Sequence, residues 1–149
     1  MSSSASRTLA AIGAVCLGFA GALASADDRP YTEGNVSTVS AIRTEYGRFD
    51  DYMKFLAGPY KQEMEAEKKA GLIVGYQIYA AQPHNPQEAD IYLLVTYKNW
   101  AALDGLAQKS RALLAQVYGS LASAQQSAVD RGKIRTVLGS EQIQELILK

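Results

Sequence analysis

Between Val36 and Ala81 the chain changes its hydrophobic period twice, and this constrains the fold more than any other feature. Val36 to Thr44 alternates as a strand does, with Val36, Thr38, Ser40, Ile42 and Thr44 on one face and Ser37, Val39, Ala41 and Arg43 on the other. Both faces are mixed, so neither is expected to be fully exposed. Glu45-Tyr46-Gly47 makes a turn, and a helix starts near Arg48 with Asp50 and Asp51 at its positive dipole end. Phe49, Tyr52, Met53, Leu56, Tyr60 and Met64 recur at spacings of three and four, which is one apolar stripe. Pro59 cannot donate its amide to Phe55, so a kink or break is expected there. Glu65 and Lys69 are spaced for an ion pair, and Gly71 is a natural left-handed stop. Period two then returns, and Leu72 to Ala81 reads as a second strand.

The rest of the chain completes a pattern. Gln82 to Glu88 holds two prolines and an asparagine and reads as a loop. Ile91 to Tyr97 is a third strand, close enough along the chain to pair antiparallel with the second. Asn99 is placed to cap a helix carrying Trp100, Leu103 and Leu106. Helical spacing continues from Lys109 to Leu138, in pieces broken near Gly119 and Gly132. Leu113, Leu114, Val117, Tyr118 and Leu121 form one apolar set there, and Val129, Ile134, Val137 and Leu138 a later one. Glu141 to Lys149 alternates as a closing strand. The order is β-α-β-β-α-β with extra helix before the last strand. It predicts an α+β, ferredoxin-like fold with an antiparallel four-stranded sheet. Helices cover one face of such a sheet, and the other must find a cover.

The N-terminus is expected to lie outside this domain. Arg7, the apolar run Thr8 to Leu23 and the small-residue site Ala24-Ser25-Ala26 have the form of a secretory signal peptide, residues 1–26. The run is too short for a membrane span and no stop-transfer charge comes after it. Residues 27–35 read as a polar lead-in and 36–149 as the domain. The one cysteine of the chain, Cys16, falls inside the signal. A periplasmic or secreted protein without disulfides must be held by core packing or assembly. The chain is balanced at fifteen basic and fifteen acidic residues, with its lysines and arginines scattered, which argues against nucleic-acid binding. No later segment is apolar for long enough to stay in a membrane. Asn35-Val36-Ser37 matches a glycosylation sequon, read as coincidence beside a leader of bacterial appearance.

The residues Ala41-Ile42-Arg43, Gly47-Arg48-Phe49-Asp50-Asp51-Tyr52, Lys69-Ala70-Gly71-Leu72-Ile73, Ile91-Tyr92-Leu93-Leu94-Val95 and Tyr97-Lys98-Asn99-Trp100 together resemble the dimeric α/β-barrel proteins. That set includes antibiotic-biosynthesis-monooxygenase-like and NIPSNAP-like domains. The resemblance implies a homodimer formed sheet to sheet, and a cavity between sheet and helices. It brings no catalytic residue onto a position of this chain.

Chemistry is sparse. There is no H-E-x-x-H, G-x-S-x-G, P-loop or G-x-G-x-x-G pattern. One histidine and no cysteine past the signal leave too few ligands for the usual zinc, copper or iron–sulfur site, and no metal or cofactor is expected. His84 is the sole histidine and sits in a Pro83-His84-Asn85-Pro86 loop, where a solvated turn residue is the plain reading. Nine tyrosines against three phenylalanines suit half-wet positions, in a core, an interface or an amphipathic pocket. If Gln77 and Tyr79 share a face with Thr38, Ser40 or Tyr92, that face could line a cavity, with Arg43 as its cation or as an ion-pair partner of a helix carboxylate. Arg43, Gln77, Tyr79, Tyr92 and His84 are thus the candidate pocket. The expected function is a small-molecule-binding or structural module that pairs with itself and takes an apolar or aromatic ligand. The alternatives are a cofactor-independent oxygenase or isomerase acting on an activated aromatic substrate, and a role in assembly through the helical insertion.

Overall fold

The computed structural model describes residues 28–149; the expected signal peptide and Cys16 lie outside them. Strand β1 (Tyr31–Thr44) leads into helix α1 (Phe49–Phe55), a π-helical turn Leu56–Tyr60 and helix α2 (Lys61–Lys69). Strands β2 (Gly75–Ala80) and β3 (Ile91–Tyr97) form the hairpin. A 3-10 turn, Trp100–Leu103, precedes helices α3 (Leu106–Tyr118) and α4 (Leu121–Arg131), and β4 (Arg135–Leu148) closes the chain. The sheet order is β2-β3-β1-β4, with every neighbouring pair antiparallel. This is the ferredoxin-like α+β fold, with a second helix inserted before the last strand.

The helix-side face of the sheet holds the core. Ile42 of β1 pairs with Ile91 of β3, and both are fully buried. Tyr52, Leu56, Tyr60 and Met64, from the expected stripe, pack onto Ile91, Leu93 and Tyr97, with Ile73 beneath the entry to β2. Phe49, at the start of the stripe, is exposed. Each fully buried aliphatic side chain contributes about 1.5–3 kcal/mol by leaving water. The break expected at Pro59 is present: Gly58 leaves helical geometry (φ −104°, ψ −106°), and the π-helical turn re-aims the stripe between α1 and α2. Asn99 caps as expected, accepting from the Ala102 amide at 3.1 Å, but on the 3-10 turn rather than on a long helix.

Four boundaries differ from expectation. β1 begins at Tyr31, so the polar lead-in is mostly strand, because Tyr31, Thr32 and Glu33 pair with Leu148, Ile147 and Leu146. The register shifts between Glu33 and Val36. A Cβ on Gly34 would stand 2.6 Å from the Glu145 carboxylate, so glycine allows the close approach. β2 is shorter than Leu72 to Ala81, since Leu72 and Ile73 pack against the core ahead of the ladder. The helical insertion ends at Arg131 rather than Leu138, and β4 starts at Arg135 rather than Glu141. Val137 and Leu138 are strand residues: Val137 pairs with Ile42, and Leu138 is the extra residue at the second register shift. Finally, Glu65 accepts a hydrogen bond from the Tyr76 hydroxyl at 2.9 Å and makes no ion pair with Lys69.

Candidate functional site

The antiparallel registers turn every other residue away from the helices, and the open face can be read row by row. Tyr79, Tyr92, Ala41 and Gly139 form one row across β2, β3, β1 and β4. Gln77, Leu94, Val39 and Glu141 form the next, with Gly75, Thr96, Ser37 and Ile143 beyond it. No element among the described residues covers these rows. Tyr79 remains 55% and Tyr92 37% exposed. The hydroxyls of Ser37 and Thr96 share a hydrogen bond of 3.0 Å. An open groove of about 760 Å³ runs along Ser37, Gln77, Tyr79, Leu94 and Thr96, and a smaller one of about 260 Å³ lies on Val39, Ala41, Tyr92 and Glu141.

The structure therefore brings together three of the five residues singled out from the sequence. Gln77, Tyr79 and Tyr92 share the open face; Thr38 and Ser40 belong to the opposite, helix-side face. Arg43 comes two residues after Ala41 on the open side, where its guanidinium donates to the Glu88 carbonyl at 3.2 Å. It binds the hairpin loop and not a helix carboxylate. His84 is apart from the others, in that loop, with a side chain 91% exposed and Nδ1 3.5 Å from Glu88. Its backbone amide donates to the same carboxylate at 2.6 Å, and Asn85 donates to the other oxygen. Glu88 thus organises the proline-marked loop. Trp100, beside the Asn99 cap, is half exposed and donates its indole N–H to Gln144 of β4 at 3.0 Å.

A second polar constellation lies on the helix side, and nothing in the sequence pattern points to it. Arg131 ends α4 and Arg135 begins β4. The Arg135 guanidinium stands 5.4 Å from the centre of the Tyr52 ring, and that of Arg131 stands 4.8 Å from the Phe55 ring. Both distances suit a cation over an aromatic face. Tyr52 stacks on Phe55 at 6.1 Å, Phe55 leans on Tyr60 at 6.5 Å, and Tyr60 meets Tyr76 edge to face at 6.0 Å. Within this ladder the hydroxyls of Tyr52 and Tyr60 and the Nε atoms of Arg131 and Arg135 are buried without a hydrogen-bond partner. Burial pushes both phenols up, Tyr60 the further, and the two arginines work against this at Tyr52. Burial likewise lowers Arg135, with Tyr52 opposing. Spacing conceals the group, because Arg131 and Arg135 stand four residues apart, as neighbouring turns of one surface helix would. The strand start at Arg135 turns the second arginine inward.

Elsewhere in the core, Glu67 is only 6% exposed, and burial holds its carboxyl above the ordinary range, eased by the adjacent Ser110 hydroxyl. Among the described residues no three His, Cys, Asp or Glu side chains gather as metal ligands would, and no helix is long and apolar enough to cross a membrane.

Comparison with known proteins adds little to this geometry. The chain matches no protein-family model and no curated protein sequence. Among solved structures, the crystal structure of HapK from Hahella chejuensis is similar with a TM-score of 0.48 and 12% identity, covering 74% of this chain and 91% of that one. A likeness of that size carries no argument about function, and the ferredoxin-like assignment stands on strand order and pairing.

Proposed function

We propose that this is an exported protein that pairs with a second copy of itself through the open sheet face and binds a small apolar or aromatic molecule. The uncovered face carries the reading. Leu94, Val39 and Ala41 form its centre, Tyr79 and Tyr92 one flank and Glu141 an edge. An apolar centre with amphipathic rings at its margin is the composition of a self-pairing interface. Two such faces laid together would enclose the Gln77, Tyr79 and Tyr92 row as the wall of a shared cavity. The resemblance to dimeric α/β-barrel proteins supports the sheet-to-sheet pairing, and the signal-like residues 1–26 supply the expectation of export.

The oxygenase reading needs His84 and Arg43 at one cavity. Within one chain His84 stands in solvent and Arg43 holds the loop carbonyl, so that reading is not adopted. The test is the mass of the protein in solution. Native mass spectrometry should find a dimer, and Val39→Asp, which places a charge at the centre of the face, should give a folded monomer. A wild-type protein that is monomeric at every accessible concentration would refute the pairing.

A further inference from the structure

We infer that the helix side of the fold contains a binding site for an aromatic monocarboxylate, with the carboxylate held by Arg131, Arg135 and the hydroxyls of Tyr52 and Tyr60, and the ring lying against Phe55. The inference goes beyond the proposed function, since this site lies on the helix side of the sheet and not on the open-face row of Gln77, Tyr79 and Tyr92, and it is independent of self-pairing.

Four buried polar groups without partners, collected from α1, the π-helical turn, α4 and β4, are the first observation. Buried polar groups are nearly always bonded, and a cluster of exceptions calls for an unplaced partner. All four can donate: the two guanidinium N–H groups do nothing else, and the two phenol hydroxyls can accept as well. Their common complement is an acceptor, and two cations side by side ask for a negative one. The second observation is that the chain supplies none. Among the described residues, neither Arg131 nor Arg135 has a carboxylate within ion-pair distance, and each acid nearby is already engaged. Asp130 takes Lys133 at 2.7 Å and Gln126. Asp51 takes Arg48 at 2.9 Å, Glu63 takes the Tyr118 hydroxyl at 2.9 Å, and Asp90 takes Thr44 through both its amide and its hydroxyl.

The surroundings select the class of anion. A planar carboxylate can accept side-on from guanidinium groups and end-on from phenols. A groove of about 590 Å³ between α1 and α4 is lined by Phe55, Arg131 and Ile134, so it meets the cluster at Arg131 alone. That volume is within the range of small-ligand sites. Asp51 and Asp130 also line the groove, and the repulsion that any anion meets there is greater for a dianion such as phosphate than for a monocarboxylate. An apolar ring fits Phe55 and Ile134.

The test uses protein expressed from the full chain and two probes of one shape, 1-naphthoate and its uncharged amide 1-naphthamide, with calorimetry as the readout. Naphthoate should bind, and the amide should bind about tenfold more weakly or worse, the usual penalty for losing a charged hydrogen-bond partner. Arg135→Gln should abolish that preference, and Tyr60→Phe should weaken naphthoate several-fold without lowering the melting temperature. The acid–amide comparison needs no variant, so a failure of Arg135→Gln to fold leaves the inference testable. Equal binding of acid and amide overturns the inference while leaving a small-molecule binder. Inorganic phosphate competing as strongly as naphthoate overturns the choice of class. Silence with both probes overturns the inference, and native mass spectrometry still decides the pairing separately.

Discussion

Replacing Tyr60 by phenylalanine should stabilise the protein, although it deletes a polar atom from the core. The Tyr60 ring meets Tyr76 at 6.0 Å and Phe55 at 6.5 Å, and both contacts survive in phenylalanine. Only the hydroxyl is lost. It is buried and has no hydrogen-bond partner among the described residues, so the fold does not repay its lost hydration with a protein contact. Such a group costs about 1–3 kcal/mol, and a gain near 1 kcal/mol is expected after partial relaxation around the missing oxygen. For a domain of this size that is a rise of roughly 3–5 °C in melting temperature. Tyr118→Phe is the control, because the Tyr118 hydroxyl donates to Glu63 at 2.9 Å. Burial and Glu63 push that phenol up to about 12. Its loss should cost about 1 kcal/mol, with the opposite sign. Scanning calorimetry of the two variants beside the wild type, without ligand, measures both. If Tyr60→Phe melts several degrees below the wild type, its hydroxyl has a partner in the free protein, and the reasoning about orphaned donors fails for this core.

Three further outcomes are open to measurement. Leu56→Ala, at a fully buried core position, should cost about 2–5 kcal/mol, read from urea unfolding; a loss under ~1 kcal/mol would mean the stripe is not packed as described. Glu67→Gln should make stability less sensitive to pH. Because burial raises the folded carboxyl above its unfolded value, the wild type carries no penalty below the unfolded value and loses stability as pH rises through the interval up to the folded one. The variant should lack that decline, and parallel pH profiles would contradict it. Val39→Asp should leave the melting curve of a monomer largely intact while shifting the native mass, since Val39 stands on the face away from the helices; an unchanged mass would place the contact elsewhere.

Periodicity makes most of the scaffold legible. The stripe from Tyr52 to Met64, the Pro59 break and the Ile91 to Tyr97 strand all stand where local spacing places them. Local spacing fails where a run is short or its pairing is remote. Val137 and Leu138 are too few to tell a strand from a helical turn, and β1 decides their assignment. Tyr31 to Glu33 has the composition of a solvated leader, and only Leu146 to Leu148 give it a partner. Half-buried ladders of this kind are stabilised across the sheet, here by residues far away along the chain.

The candidate sites divide in the same way. Alternation within β2 is a local property, so Gln77 and Tyr79 could be placed on one face from the sequence, whereas Tyr92 joins them only through the register of β2 with β3. That Thr38 and Ser40 lie on the other face depends on how β1 pairs with β3, which a single strand does not encode. The sequence by itself determined the order of elements, the helix stripe and one sheet face in need of cover, because hydrophobic period is written residue by residue. Tertiary structure alone decided that Arg131 and Arg135 turn inward toward Tyr52, Phe55 and Tyr60. The cause is the early start of β4: once Arg135 pairs with Thr44 in the ladder, its side chain must point to one face or the other, and the register makes it the buried one.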